Sequence, residues 1–152
     1  MTILSDGRAI QFLYPGRGHT DTDLFVYLPQ ERIVCTGDMM ESGLSYMADA
    51  WVNEWPAALE KLAALDFDIA LPGHGVPFKG KDKIRAFQSY LADLQKQVET
   101  LRKQGLSAED AVKRIDLSSH ASDWPQSRSI NPDIRTVQRI YDVAADQNAP
   151  LR

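Results

Sequence analysis

The sequence has little of several features on which common protein classes depend. Its 152 residues include one cysteine, so no disulfide can form within the chain and a reducing compartment is predicted. Acidic residues outnumber basic ones, 21 to 17, which argues against a nucleic-acid partner. No stretch approaches the roughly 18 apolar residues of a membrane span, and the N-terminus does not resemble a signal peptide. These absences favour a cytoplasmic protein.

The chain length is typical of one domain that can bury its own core. Strand-like segments come first and helical segments follow, which favours a layered α/β domain over a helix bundle. We predict a single domain over residues 1–152, with a sheet and its loops in residues 1–80 and helices in residues 81–150.

Four short apolar runs are predicted to form strands: residues 8–14, 24–28, 32–36 and 69–71. The second and third are separated by three residues, which suits an antiparallel hairpin. Their nearly continuous apolarity predicts burial on both faces of the sheet. Cys35 lies in the third run and is predicted to act as a small buried apolar residue.

Helical periodicity marks residues 55–66 and, over a longer amphipathic stretch, residues 83–103. A further helix is predicted over residues 107–115 with Ser107 as its N-cap, and a last one after Asn131 as its N-cap.

Three polar residues follow strand-like runs and adjoin glycine: His19, Asp38 and His74. Residues at one edge of a sheet converge in space, and glycine allows the tight turns found there. Two imidazoles and a carboxylate suit zinc, which in catalytic sites takes three protein ligands and a water. The alternative is that each histidine is an ordinary hydrogen-bonded loop residue.

The segments GRGHTDTDLFVYLPQERIVCTGDMM and WPAALEKLAALDFDIALPGHG resemble the metallo-β-lactamase-fold hydrolase superfamily. The likeness is to its lactonase-like and glyoxalase-like branches more than to the antibiotic-resistance enzymes. It implies an αββα sandwich, of which this chain looks like the C-terminal half: one mainly antiparallel sheet with covering helices.

The resemblance also implies roles for the three residues. His19 looks like a ligand of the first metal, Asp38 like the catalytic carboxylate that bridges two metals, and His74 like a ligand of the second. The implied cofactor is a pair of zinc ions, with iron or manganese as alternatives. A metal-held hydroxide would attack an ester, lactone or thioester bond of a small-molecule substrate.

One family motif, His-x-His-x-Asp-His, does not occur in this sequence. Without it neither metal would have its full protein coordination, so we expect weak or no activity from the chain alone. The sheet that covers one face of the family fold would be missing too, which predicts a homo-oligomer formed through the uncovered face. The alternative function is a non-catalytic oligomeric half-fold or binding module.

Other residues have two interpretations each. Asp23 either supports a metal ligand or caps a turn. Tyr46, Trp51 and Trp55 either line a substrate cleft or belong to the core. His120 is interpreted as a surface residue.

Overall fold

The computed structural model describes residues 1–146, which form one sheet of six strands and the helices beside it. The strands occur in chain order: β1 (Thr2–Ser5), β2 (Arg8–Leu13), β3 (Phe25–Leu28), β4 (Ile33–Gly37), β5 (Ile69–Pro72) and β6 (Phe78–Lys79). Neighbouring strands pair antiparallel, except that β4 and β5 are parallel. The predicted α/β class and mainly antiparallel sheet are therefore confirmed.

Helical segments account for most of the rest: α1 (Trp55–Ala63), α2 (Asp82–Lys103), α3 (Ala108–Ala111), a 3₁₀ helix (Ser118–Asp123) and α4 (Ile134–Ala145). The first two match the periodic stretches of the sequence. The third is shorter than predicted, although Ser107 caps it by accepting a hydrogen bond from the Asp110 backbone N–H. Within residues 1–146, no helix is both long and apolar enough to cross a membrane.

The N-cap predicted for α4 is wrong. Asp133, not Asn131, caps this helix, because its carboxylate accepts a hydrogen bond from the Thr136 N–H at 2.8 Å. The Asn131 side chain instead accepts from the Leu117 backbone N–H at 2.8 Å, so it ties α4 to the 3₁₀-helical region. Both residue types are good caps, and only tertiary contacts decide between them.

One face of the sheet is buried under the helices and forms the core. Inward-facing strand residues and one stripe of α2 share a single apolar cluster, whose sheet members are Phe25, Tyr27, Val34 and Ala70 and whose α2 members are Ile84, Phe87, Tyr90, Leu91, Leu94 and Val98. This arrangement holds the loops at one end of the sheet against the start of α2.

The opposite face is apolar but not buried, so the prediction of burial on both faces is wrong. Cross-strand register places Phe12, Val26, Cys35 and Leu71 in one row. Alternate positions add more apolar side chains to this open sheet face, whose members are Ile3, Ile10, Phe12, Val26, Leu28, Ile33, Cys35, Ile69 and Leu71. Cys35 is accordingly half-buried and not buried. No described helix or strand covers this face.

Candidate functional site

Parallel pairing of β4 and β5 brings Asp38 and His74 together. Gly37 lies opposite Pro72 at the ends of the two strands, and the Gly73 N–H donates to the Gly37 carbonyl at 2.9 Å. The next residue along each chain segment then faces its counterpart, with Asp38 Oδ1 at 3.6 Å from His74 Nε2. Two distant sequence motifs therefore meet at one edge of the sheet.

Glycine is required in the loop that carries His74. A Cβ on Gly73 would collide with the Asp38 carboxylate and with the backbone at Gly37. Gly75 has a positive φ of 93°, a backbone conformation that residues with a Cβ rarely adopt, and a Cβ there would collide with Ser42. The Gly-His-Gly sequence is thus explained by close approach of two loops.

Ser42 fastens these two loops to each other. Its backbone N–H donates to the His74 carbonyl at 3.1 Å, and its hydroxyl accepts from the Val76 N–H at 3.1 Å. The loop after β4 and the loop after β5 therefore form one connected surface beside Asp38 and His74.

His19 reaches the same edge through contacts with Met39 and Trp55. Its backbone N–H donates to the Met39 sulfur at 3.4 Å, and its ring meets the Trp55 ring edge-on at 5.7 Å between centroids. Trp55 is fully buried and donates from Nε1 to the Met39 carbonyl at 3.2 Å. It is therefore a core residue that supports the segments bearing His19 and Asp38.

Glu41 is a fourth ionisable residue of this edge, and the sequence analysis missed it. Burial raises the pKa of its carboxyl group; His74 lowers that pKa, Asp38 raises it, and His19 lowers it. All three predicted site residues are therefore near enough to act on Glu41. Its position three residues after Asp38, in the same loop, was the available signal.

The described residues do not by themselves form a complete metal site. Asp38 and His74 provide two neighbouring donors, but residues 1–146 contain no group of three or more His, Cys, Asp or Glu side chains placed to hold a metal ion. Protein-bound zinc takes three or four protein ligands. The donor set in this chain therefore does not fit zinc without further ligands.

The other predicted residues lie apart from this pair or serve the framework. Asp23 accepts a hydrogen bond from the Thr20 N–H at 2.6 Å, which is a turn-capping contact. Trp51 is only 4% exposed and lies against the guanidinium groups of Arg17 and Arg139, so little of its surface can meet a ligand. Tyr46 is 49% exposed.

The interpretation of His120 as a surface residue is wrong. Its side chain is 12% exposed, its Nε2 lies 3.2 Å from Asp93 Oδ2, and its ring meets Tyr90 edge-on. His120 therefore joins the 3₁₀ helix to α2, far along the chain from the other two histidines.

We expect Trp55→Phe to lower the free energy of unfolding by about 2 kcal/mol, because the buried Met39 carbonyl loses its donor and ring volume is lost. Trp51→Phe is the matched control. Trp51 Nε1–H is buried and has no acceptor among the described residues, so this variant loses only ring volume and part of the arginine contacts and should cost about 1 kcal/mol or less. Urea unfolding measures both; an equal loss would contradict the bracing role of Trp55.

Because the pKa of Glu41 is raised in the folded state, its ionisation opposes folding. Below the ordinary glutamate pKa of about 4.3, Glu41 is protonated in both the folded and the unfolded state and costs no stability. The chain loses stability as the pH rises through the raised pKa of the folded state, because the buried carboxyl group then ionises. Glu41→Gln should therefore stabilise the metal-free chain at pH 7 and make little difference near pH 3.5. Urea unfolding in a chelating buffer tests this, with exposed Glu109→Gln as control; a destabilised variant at pH 7 would contradict it.

Comparison with known proteins connects the edge to one family. A stretch of 72 residues is 36% identical to the type 2 metallo-β-lactamase of Bacillus sp. (strain 170), covering 43% of this chain and 28% of that enzyme. Over 150 residues the chain is 25% identical to the linear primary-alkylsulfatase of Pseudomonas sp. (strain ATCC 19151), covering 89% of this chain and 28% of that protein. The chain thus spans about 28% of the length of these relatives.

The fold has a counterpart among solved structures. The stereoselective inverting sec-alkylsulfatase Pisa1 from Pseudomonas sp. superposes with a TM-score of 0.72 over 95% of this chain and 25% of that one, at 19% identity. This likeness covers the sheet and the helices and concerns the fold alone.

The family model of the metallo-β-lactamase superfamily matches residues 3–74, a range that contains His19, Asp38 and His74. The relatives described above are a β-lactamase and alkylsulfatases, so the likeness to the lactonase-like and glyoxalase-like branches stays a prediction. The match over residues 3–74 and the similarity to a type 2 metallo-β-lactamase together support assignment of this part of the chain to the metallo-β-lactamase superfamily.

Proposed function

We propose that this chain supplies one side of the metal centre of a hydrolase that acts on an ester, lactone, thioester or similar bond of a small molecule. His19, Asp38 and His74 are its metal-binding residues, and Asp38 is the catalytic carboxylate. The observation that supports this most directly is the distance of 3.6 Å between Asp38 Oδ1 and His74 Nε2. Both residues follow strands that lie within the range matched by the superfamily model.

The centre requires donors beyond those that residues 1–146 bring together. Two close donors bind a metal ion weakly, since protein-bound zinc takes three or four ligands. Ligands of the His-x-His-x-Asp-His type would complete it, and that motif does not occur here. Zinc is the proposed metal, and iron or manganese suits the same donors. The chain alone therefore has weak activity or none.

The proposed substrates form one broad class, because specificity is a property of sites and not of folds. One relative is named a β-lactamase and another an alkylsulfatase, so a lactam and alkyl sulfates belong in the test panel beside esters, lactones and thioesters. Tyr46 and Trp51 are retained as proposed substrate contacts, Trp51 through the little surface it exposes. The single cysteine supports a proposed cytoplasmic location.

Zinc titration of the purified chain, followed by calorimetry, should reveal weak binding of at most one ion. We expect Asp38→Ala and His74→Ala each to weaken it at least tenfold, because each removes one of two close donors. Any hydrolysis of the substrate panel in saturating zinc should disappear in the same variants.

Asp93→Asn is the matched control. It alters the other histidine–carboxylate contact within residues 1–146, that with His120, which has no proposed part in metal binding. Zinc affinity unaffected by Asp38→Ala would contradict the proposed site, as would tight binding of two ions. Zinc binding that depends on Asp38 but supports no hydrolysis would favour the second candidate below.

The second candidate is a non-catalytic oligomeric half-fold, and the open sheet face favours it. This face presents apolar side chains from β1 to β5 that no described element covers. Contiguous apolar patches of this kind mark association sites, and two such sheets can pack face to face about 10 Å apart. Both candidates therefore include self-association of the chain through this face.

We expect the chain to associate at micromolar concentration and the variants Phe12→Lys and Val26→Lys to shift it towards monomer, because a lysine in the centre of an apolar interface must be desolvated. Leu4→Lys is the control. Leu4 lies on β1 but on the opposite side from Ile3, and it is 78% exposed.

Sedimentation velocity over a concentration series measures this association, and the rate at which a thiol reagent labels Cys35 should fall as the chain associates. A wild-type chain that stays monomeric at all concentrations would refute self-association. If Leu4→Lys weakened association as much as Val26→Lys does, the interface would lie elsewhere than on the open sheet face.

A further inference from the structure

A cavity of about 600 Å³ adjoins the loops that carry Asp38 and His74. We call it the Lys83 cavity; its relevant lining residues are Ser42, Gly75, Val76, Lys83, Asp123 and Trp124. Its volume lies in the range of small-molecule sites, about 300 to 1,000 Å³. Because Ser42 is hydrogen-bonded to the His74 carbonyl, a molecule in this cavity would lie beside the candidate site.

Among residues 1–146, Lys83 provides the one cationic group that lines this cavity. Its Nζ donates to the Ser42 carbonyl at 2.6 Å, which fixes the side chain and uses one of the three N–H donors of an ammonium group. Burial lowers the pKa of this half-buried lysine. The remaining donors can therefore pair with a ligand in surroundings where charge-assisted hydrogen bonds are strong.

The other walls suit an apolar body with a polar end. Trp124 lines the cavity with the small part of its surface that is exposed, 4%, and edge-on contacts with Phe87 and Tyr90 hold its ring in place. Val76 is 67% exposed and adds an apolar surface near the loop of His74. Asp123 also lines the cavity, and its negative charge would disfavour an anion near it.

We propose that the Lys83 cavity binds the carboxylate-bearing portion of a small organic acid, with the carboxylate on Lys83 Nζ and the apolar portion against Trp124 and Val76. Where this portion belongs to the substrate of the proposed hydrolase, the inference rests on that function and narrows the substrate to one with an acidic group away from the bond that is cut. Lys83 is then a substrate-binding residue and takes no part in the chemistry.

Binding of hexanoate and of its neutral analogue hexanamide tests the charge preference directly. Both are titrated into the full chain in a chelating buffer, with the indole N–H resonances of the tryptophans as the readout. We expect hexanoate to bind about tenfold more tightly, because a charge-assisted hydrogen bond exceeds a neutral one by roughly 1 to 1.5 kcal/mol. In Lys83→Met the ratio of the affinities for hexanoate and hexanamide should fall to about one.

Lys81→Met is the matched control. Lys81 is also a half-buried lysine at the start of α2, but its Nζ donates to the Leu65 carbonyl at 2.7 Å and lies over the Phe67 ring, outside the cavity. It should keep the wild-type preference. If Lys83→Met fails to fold, Lys83→Arg keeps the charge and is expected to retain at least a threefold preference for hexanoate.

Equal binding of the two compounds by the wild-type chain would overturn the proposal, as would no binding of either or a preference that survives Lys83→Met. Because metal is absent from this titration, failure here leaves the proposed hydrolase untouched. Loss of zinc binding or hydrolysis in the Asp38 and His74 variants would in turn leave this binding site standing.

Discussion

The parallel pairing of β4 with β5 is the constraint on which the candidate site depends. Every other strand pair is antiparallel and could be joined by a short turn, whereas this pair needs a crossover, which α1 provides. Parallel strands end at the same edge of a sheet. Asp38 and His74 therefore emerge side by side, although 35 residues of chain separate them. The glycine at position 73 follows from the same closeness.

The two faces of the sheet have different surroundings within residues 1–146. Its inner face packs on α2 and gives the fold a continuous core. Its outer face carries side chains of the same apolar types, which leaves a surface that water disfavours. The incomplete donor set and the open face therefore have a common structural basis. Within residues 1–146, no third side chain is placed to hold a metal ion with Asp38 and His74, and no helix or strand packs on the outer face of the sheet.

Periodicity and turn chemistry were sufficient to predict most elements of the fold. The strands at residues 8–14 and 24–28 and the long helix were visible because apolar residues recur at periods fixed by backbone geometry. The sequence pattern did not identify the cap of α4, since Asn131 and Asp133 are both suitable residues and the contact of Asn131 with Leu117 decides which one caps the helix. His120 was misjudged because its partner Asp93 lies on another helix.

By itself the sequence determined the α/β class and placed glycines at the turns, because local propensity is a property of neighbouring residues. It also predicted His19, Asp38 and His74 as the candidate site, from motif spacing. Tertiary structure alone decided that Asp38 contacts His74 and that both residues act on the pKa of Glu41. It also decided that Lys83 and Trp124 line the same cavity. Those are distances between segments far apart in the chain. They depend on how helices and strands pack, which residue patterns leave unspecified.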